Sequence, residues 1–144
     1  MDRKVFLKQC GWACIGITLG GGLLASCTNH QAIVAVREGD FFTIPKSSFW
    51  SEENQKFKRY VIISNDELVF PICVFRKSET EYSALLMECS HQGAELQVYG
   101  ERLQGPAHGS EFDREGNPLN APADKVLRKF QCLVSDHSIK ISLR

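Results

Sequence analysis

After residue 31, the chain consists of short apolar runs that turn residues interrupt every few positions, and this pattern constrains the fold most. The runs are rich in β-branched and aromatic side chains, for example at 41–44, 57–64 and 81–88. None of them continues with the 3.6-residue spacing of an amphipathic helix. We therefore predict an all-β domain, which begins with a hairpin around the turn at 38–40.

From length and charge we expect one domain and no nucleic-acid partner. The 144 residues suit a single domain. Lys plus Arg and Asp plus Glu are both 17, so the formal net charge is zero. The chain therefore has no basic surplus for binding nucleic acid.

The first 26 residues have the pattern of an export signal, because Arg3, Lys4 and Lys8 precede an uncharged stretch at 11–26. The glycines of that stretch make it a poor spanning helix, although an N-terminal membrane anchor remains the alternative. The basic segment also resembles a twin-arginine signal with lysine in the second position, so we leave open whether export uses that route or the general secretory route.

The segment 24–27, Leu-Ala-Ser-Cys, resembles the lipobox of bacterial lipoproteins, in which the cysteine becomes the lipidated N-terminus. This resemblance implies a lipoprotein signal peptide at 1–26, lipid on Cys27, a tether at 27–35 and a folded domain at 36–144. Several acyl chains would hold such a domain on a membrane without a helix. We expect a bacterial cell-envelope protein on the periplasmic or outer face of a membrane.

Three cysteines lie in the body of the chain, and this odd number excludes a scaffold held together by disulfides. Cys73 and Cys132 each stand within an apolar strand candidate, so we interpret both as core thiols. The alternative is that they bridge each other in an oxidising compartment. The third, Cys89, belongs to a different pattern.

Two segments combine cysteine, histidine and glycine. The first reads Cys89-Ser-His91-Gln-Gly93, and the second reads Gly105-Pro-Ala-His108-Gly-Ser-Glu-Phe-Asp113. Together with Pro122 further along, they resemble the Rieske iron-sulfur family closely. In that family two loops each supply one cysteine and one histidine to a [2Fe-2S] cluster, so that two thiolates hold one iron and two imidazoles hold the other.

The resemblance implies stacked antiparallel sheets with a small cluster-binding loop subdomain. It also implies metal ligation by Cys89, His91 and His108, with Gly105 at the position of the missing fourth ligand. Around these ligands it places Ser110, Phe112 and Pro122.

Three departures from the family pattern affect the expected chemistry. One thiolate is absent at Gly105, so a bound cluster would have an open iron site and would be labile. The cysteines that bridge the loops in respiratory-complex members are Ala94 and Ala107 here, so that disulfide cannot form. Phe112 replaces a tyrosine whose hydroxyl donates to a ligand sulfur, and this loss should lower the reduction potential.

The resemblance implies an electron-transfer protein tethered to a membrane, which exchanges electrons with a redox protein or membrane complex and is not itself an enzyme. Two alternatives remain open. The domain is a cluster-free structural or interaction module of an envelope complex, or Cys89, His91 and His108 form a three-ligand site for zinc or copper.

Overall fold

Short strands make up almost all of the protein in the computed structural model, which describes residues 32–144. The strands are β1 Ile33–Val34, β2 Val36–Glu38, β3 Phe41–Pro45, β4 Trp50–Ser51, β5 Lys56–Phe57, β6 Tyr60–Ser64, β7 Ile72–Arg76, β8 Tyr82–Leu86, β9 Gln97–Tyr99, β10 Arg102–Gln104, β11 Glu111–Phe112, β12 Lys129–Phe130, β13 Cys132–Val134 and β14 Ser138–Ser142. One 3-10 turn, Lys46–Phe49, is the single helical element within this range. The all-β prediction is therefore confirmed.

The strands form three sheets and one small ribbon. A five-stranded sheet has the order β1-β6-β7-β8-β12, a four-stranded sheet has the order β13-β14-β3-β2, and a three-stranded sheet has the order β11-β10-β9. Strands β4 and β5 pair as the ribbon. All of these pairings are antiparallel except that of β1 with β6. No helix within residues 32–144 has the length and hydropathy that a membrane crossing requires.

The five-stranded sheet is the central layer, because its strand β7 is buried on both faces. Successive side chains of a strand point to opposite faces. Ile72 and Val74 accordingly belong to one hydrophobic cluster, whereas Cys73 and Phe75 belong to another. A strand covered on both sides reads as a continuous apolar run rather than as an alternating one, and this is what the sequence of β7 shows.

The first cluster joins the central sheet to the four-stranded sheet. Phe42 and Ile44 of β3 and Ile139 and Ile141 of β14 are almost completely buried there. The second cluster joins the opposite face to the three-stranded sheet and its loops, and Leu103 of β10 is fully buried within it. The candidate ligand loops therefore belong to a small subdomain that packs on the central sheet.

Two local features differ from the expectations drawn from the sequence. Strands β2 and β3 form the expected opening hairpin, but Ile33 and Val34, within the segment assigned to the tether, pair instead with Ile63 and Ser64 of β6. Ala35 is also buried, so the sheet and the core include residues before position 36. The apolar strand candidate that contains Cys132, at 130–134, is divided between two sheets, since β12 pairs with β8 and β13 pairs with β14. The predicted signal and Cys27 lie outside the described residues.

Candidate metal centre

The first candidate loop follows β8 and is closed by two backbone hydrogen bonds. The amide of Cys89 donates to the carbonyl of Ala94 at 2.8 Å, and the amide of Gly93 donates to the carbonyl of Cys89 at 2.8 Å. Gly93 has a φ of 66°, a left-handed conformation that glycine adopts without strain. Cys89 is only 5% exposed, so its thiol lies at the inner side of the loop.

The second candidate loop repeats this arrangement between β10 and β11. The amide of Gly105 donates to the carbonyl of Ser110 at 2.8 Å, and the amide of Gly109 donates to the carbonyl of Gly105 at 2.9 Å. Gly109 has a φ of 73°, as Gly93 has in the first loop. The backbone therefore places Gly105 in the second loop where Cys89 stands in the first.

The two loops bring their histidines together at the protein surface. The ring centroids of His91 and His108 are 5.4 Å apart, and the ring planes meet at 77°. Both side chains are exposed. Two imidazoles at this separation are close enough to be ligands of one metal ion. The predicted pair of histidines is thus assembled, while their role as ligands stays a prediction.

Cys89 does not converge with these histidines on a single point. Among residues 32–144, no three His, Cys, Asp or Glu side chains are grouped in a way that could hold one ion. A two-iron cluster does not need such a group, because its histidines hold one iron and its thiolates hold the other. A mononuclear zinc or copper site would need three or four converging ligands. The residues thus supply both histidine ligands of a two-iron cluster but only one of its two thiolate ligands.

The surroundings of Gly105 are apolar and closely packed, but they leave room for a side chain. A Cβ atom at this position would lie 3.5 Å from Cδ2 of Leu96 and 3.7 Å from Cβ of Ser110, which are ordinary van der Waals contacts. Ser110 is completely buried, and its hydroxyl has no hydrogen-bond partner among the described residues. A buried hydroxyl without a hydrogen-bond partner costs stability, so a hydrogen-bond acceptor would fit here.

Phe112 and Pro122 also lie close to the loops in the fold. Phe112 is fully buried in the second hydrophobic cluster and has no polar group to offer a ligand sulfur. Pro122 follows a cis peptide bond and is partly buried, and the next residue, Ala123, belongs to the same cluster as Phe112.

Two side chains that the sequence analysis did not single out tie the proline segment to the candidate loops. The hydroxyl of Ser90 donates to the carbonyl of Lys125 at 2.8 Å. The amide group of Asn120 donates to the carbonyl of Gly109 at 3.1 Å and accepts from the amide of Glu111 at 2.8 Å. These hydrogen bonds join residues that are 9 to 35 positions apart, so no local spacing in the sequence indicates them.

Asp113 organises the turn that follows the second loop. Its carboxylate accepts hydrogen bonds from the amides of Glu115 and Asn117 at 2.8 and 2.9 Å, and from the Asn117 side chain at 2.9 Å. Burial raises the pKa of Asp113, but these hydrogen bonds outweigh it and hold the pKa below its ordinary value. The turn ends at Gly116, which packs against Leu85 of the central sheet.

The other two body cysteines lie on strands β7 and β13, outside the loops themselves, and both are free thiols. Cys73 is fully buried in the second cluster, and this burial raises the pKa of its thiol far above the ordinary value. Cys132 packs against the first cluster, and burial raises its pKa to about 11. The two residues belong to different clusters, so the structure agrees with two core thiols and shows no disulfide between them.

Residues 41–131 match the family model described as the Rieske [2Fe-2S] domain, and the match covers more than half of the chain. The chain therefore belongs to the Rieske [2Fe-2S] domain family. Its stacked antiparallel sheets and loop subdomain have the architecture that the resemblance to this family implied.

Solved structures agree with this assignment at the level of the fold. The cyanobacterial plasma membrane Rieske protein PetC3 from Synechocystis PCC 6803 is 22% identical, with a TM-score of 0.53 over 69% of this chain and 98% of that one. A chain from the complex of reduced oxygenase and oxidized ferredoxin in carbazole 1,9a-dioxygenase is 17% identical, with a TM-score of 0.55 over 74% and 95%. No curated protein is significantly similar to the chain in sequence.

Proposed function

We propose that the chain is a Rieske-type electron-transfer protein with an incomplete set of cluster ligands. The observation that carries this proposal is the equivalence of the two loops, which places the rings of His91 and His108 5.4 Å apart at the surface. A loop pair without a ligand to hold has no evident need to keep two imidazoles together in an exposed position.

The candidate ligands would be divided between the two irons of a cluster. His91 and His108 would hold one iron, and Cys89 would hold the other, with Gly105 leaving the fourth position to water or to a thiol from solution. A bound [2Fe-2S] cluster would supply one-electron chemistry. The exposed imidazoles of His91 and His108 would lie on the side that a redox protein can approach, while Cys89 is buried on the inner side of the loops. The hydroxyl of Ser110 is free to donate a hydrogen bond into this site.

We also propose that the protein is held on the outer or periplasmic face of a bacterial membrane by lipid on Cys27. The support is the sequence alone: Leu-Ala-Ser-Cys closes an apolar segment that follows three basic residues. Mass spectrometry of the membrane-extracted protein should find an N-terminal Cys27 with acyl groups. A Cys27→Ser variant should keep residues 1–26 and carry no lipid, and an unmodified wild-type N-terminus upstream of residue 27 would contradict the anchor.

The rival function is a cluster-free module that keeps the Rieske fold and serves as a structural or interaction subunit. It is favoured by Gly105, which leaves the second loop without the thiolate that Cys89 supplies in the first. A zinc or copper site is less well supported than either, since it needs three or four converging ligands and the two-iron cluster does not.

Spectroscopy of the full-length protein separates these functions. Protein purified anaerobically from membranes should show visible absorption bands and, after reduction, a Rieske-like electron paramagnetic resonance signal. His91→Ala should lose both, whereas His137→Ala should keep both, because His137 is an exposed histidine at the turn between β13 and β14, outside the candidate loops. Colourless wild-type protein that contains neither iron nor sulfide would favour the cluster-free module.

A further inference from the structure

We propose that the end of the domain opposite the histidines is a membrane-facing surface that binds anionic lipid headgroups. The proposal rests on the proposed anchor at Cys27 and adds to it an orientation, in which the candidate metal centre points away from the bilayer.

The two ends of the central sheet follow from its register. Tyr60, Arg76 and Tyr82 lie at one end, since β7 pairs Phe75 with Tyr60 and Arg76 with Tyr82. We call this the basal end. The opposite end has Ile72 beside Leu86, and the first candidate loop leaves the sheet there. With a rise of about 3.3 Å per residue, the five residues of β7 separate the two ends by roughly 15 Å.

The loop subdomain also has one end at the basal end of the central sheet and the other at the candidate loops. Strands β9 and β10 form a hairpin whose turn, at Gly100, lies beside Lys58 and Tyr60 in a shared groove at the basal end. The other end of this hairpin leads from Gln104 into the second candidate loop. Both histidines therefore stand at the end of the domain remote from the groove.

The part of the chain that the structure describes enters the central sheet at β1. This strand runs parallel to β6, in the direction that leads from Tyr60 toward the candidate loops, and it pairs Ile33 with Ile63. Only the five residues 28–32 separate Cys27 from Ile33. At 3.3–3.6 Å per residue, this stretch spans at most about 20 Å. This span exceeds the length of the central sheet, so lipid on Cys27 would allow the basal end to meet the bilayer.

The basal groove has the chemistry of a surface that meets anionic headgroups. It has a volume of about 560 Å³, and its lining includes Lys56, Lys58 and Arg59 and no carboxylate. None of these three cations forms an ion pair within the described residues. The chain after residue 26 has 14 basic and 16 acidic residues, so this positive charge is local.

Aromatic rings accompany the cations. Phe57 is 49% exposed and Tyr99 is 76% exposed on the walls of the groove. Aromatic side chains are favoured at the level of lipid headgroups. Carboxylates lie outside the groove: Glu79 and Asp136 line a depression on the other side of Phe57, and the β4–β5 turn carries two glutamates at 52 and 53. An acidic protein would also complement these cations, but the proposed lipid on Cys27 would keep the bilayer within about 20 Å of the sheet, and this favours the bilayer.

Trp50 provides a native reporter of this contact, because its ring lies 5.1 Å from the ring of Phe57. The second tryptophan of the sequence, at position 12, is replaced by phenylalanine in every protein tested, so that Trp50 alone fluoresces. The full-length protein is reconstituted into vesicles of phosphatidylcholine alone, or with 30% phosphatidylglycerol, that carry a headgroup spin label. Quenching of Trp50 then measures how often the basal end meets the headgroups.

We expect stronger quenching in the anionic vesicles. Lys58→Glu should reduce the ratio of molecules whose basal end contacts the headgroups to those whose basal end does not, by about fivefold or more. The reason is that each cation near an anionic surface contributes about that factor. Lys125→Glu is the matched control, because this exposed lysine adjoins the candidate loops, and it should leave the quenching unchanged. Equal quenching in both lipids and in both variants would overturn the proposal. Binding of the groove to an acidic protein, with no response to lipid charge, would overturn it as well.

The same samples test the anchor separately. Wild-type protein that sediments with neutral vesicles retains its anchor whatever Trp50 reports, so equal quenching in that case refutes the membrane-facing surface alone. Protein that fails to sediment with neutral vesicles refutes the anchor. Anionic lipid would then have to recruit the protein through the groove, and a lack of recruitment would refute the surface too.

Discussion

Replacing Gly105 with cysteine tests the central argument about the candidate metal centre. The loop equivalence puts position 105 where Cys89 stands in the first loop, so the substitution supplies the absent thiolate. The backbone of Gly105 is not in the left-handed region. An added Cβ would lie 3.5 Å from Leu96 and 3.7 Å from Ser110, and both are contacts that a normal side chain makes. The new side chain should therefore fit without strain.

Two magnitudes determine the expected outcome. Replacing a glycine at a compatible position reduces the freedom of the unfolded chain and stabilises the fold by about 0.4–1 kcal/mol. Metal binding at a four-ligand structural site contributes about 10–16 kcal/mol, which is roughly 3 kcal/mol for each ligand. A fourth ligand should accordingly retain the cluster on the order of 100-fold more tightly. Ligation thus exceeds the change in fold stability several times over.

The assay compares cluster retention after anaerobic reconstitution with iron and sulfide. Gly105→Cys should keep its visible absorption bands and its Rieske-like electron paramagnetic resonance signal through gel filtration, whereas wild type should lose most of both. Gly105→Ala is the matched control, because it adds the same Cβ without a thiol and should behave like wild type. If Gly105→Cys holds no more iron than Gly105→Ala, position 105 is not a ligand position and the electron-transfer proposal fails.

Three further predictions concern the fold around the candidate centre. Gly116→Ala should lower the free energy of unfolding by about 2 kcal/mol or more, because Gly116 has a φ of 88° and an added Cβ would lie 3.0 Å from Leu85. Gly39→Ala is the control in the same urea titration. It should lower the free energy of unfolding by about 1 kcal/mol, because Gly39 has a φ of 61° but an added Cβ would meet no atom within 4 Å. Asp113→Asn should reduce the free energy of unfolding at pH 6, and its difference from wild type should shrink as pH falls below about 4. A carboxylate with a lowered pKa stabilises the fold above its unfolded pKa and loses that contribution on protonation. A difference that stays constant with pH would contradict the stabilising role of the Asp113 carboxylate. Chelation of metal should leave the far-ultraviolet circular dichroism unchanged, and a large loss of β signal would show that the site is structural.

The sequence predicts this fold well where each strand carries its own signal. In the β2–β3 hairpin, the alternating burial of β3 follows a turn at Gly39, and both are local properties. The double burial of β7 is likewise visible as an unbroken apolar run. The loop motifs around His91 and His108 predict the candidate centre because their spacing is short and each histidine lies within two residues of a glycine with positive φ.

Features that depend on distant pairing are not visible in the sequence. The parallel pairing of β1 with β6 joins residues 30 positions apart, and nothing in Ile33–Val34 distinguishes it from the start of a hairpin. The contacts of Ser90 and Asn120 with the neighbouring segments are side-chain bonds that only the assembled loops define. The basal groove has the same origin, since its cations come from 56–59 while Tyr99 comes from the subdomain.

The second loop keeps its shape without a thiolate, so the backbone conformation of the candidate centre does not depend on its full set of ligands. Its closure relies on the amides of Gly105 and Gly109, and its position relies on the buried apolar neighbours Leu96 and Phe112. None of these contacts uses a side chain at position 105. A glycine there removes one donor from the metal and leaves the backbone of the loop as it is in the first loop. The ligand chemistry at position 105, rather than the fold of the loop, therefore decides between an electron carrier and a cluster-free module.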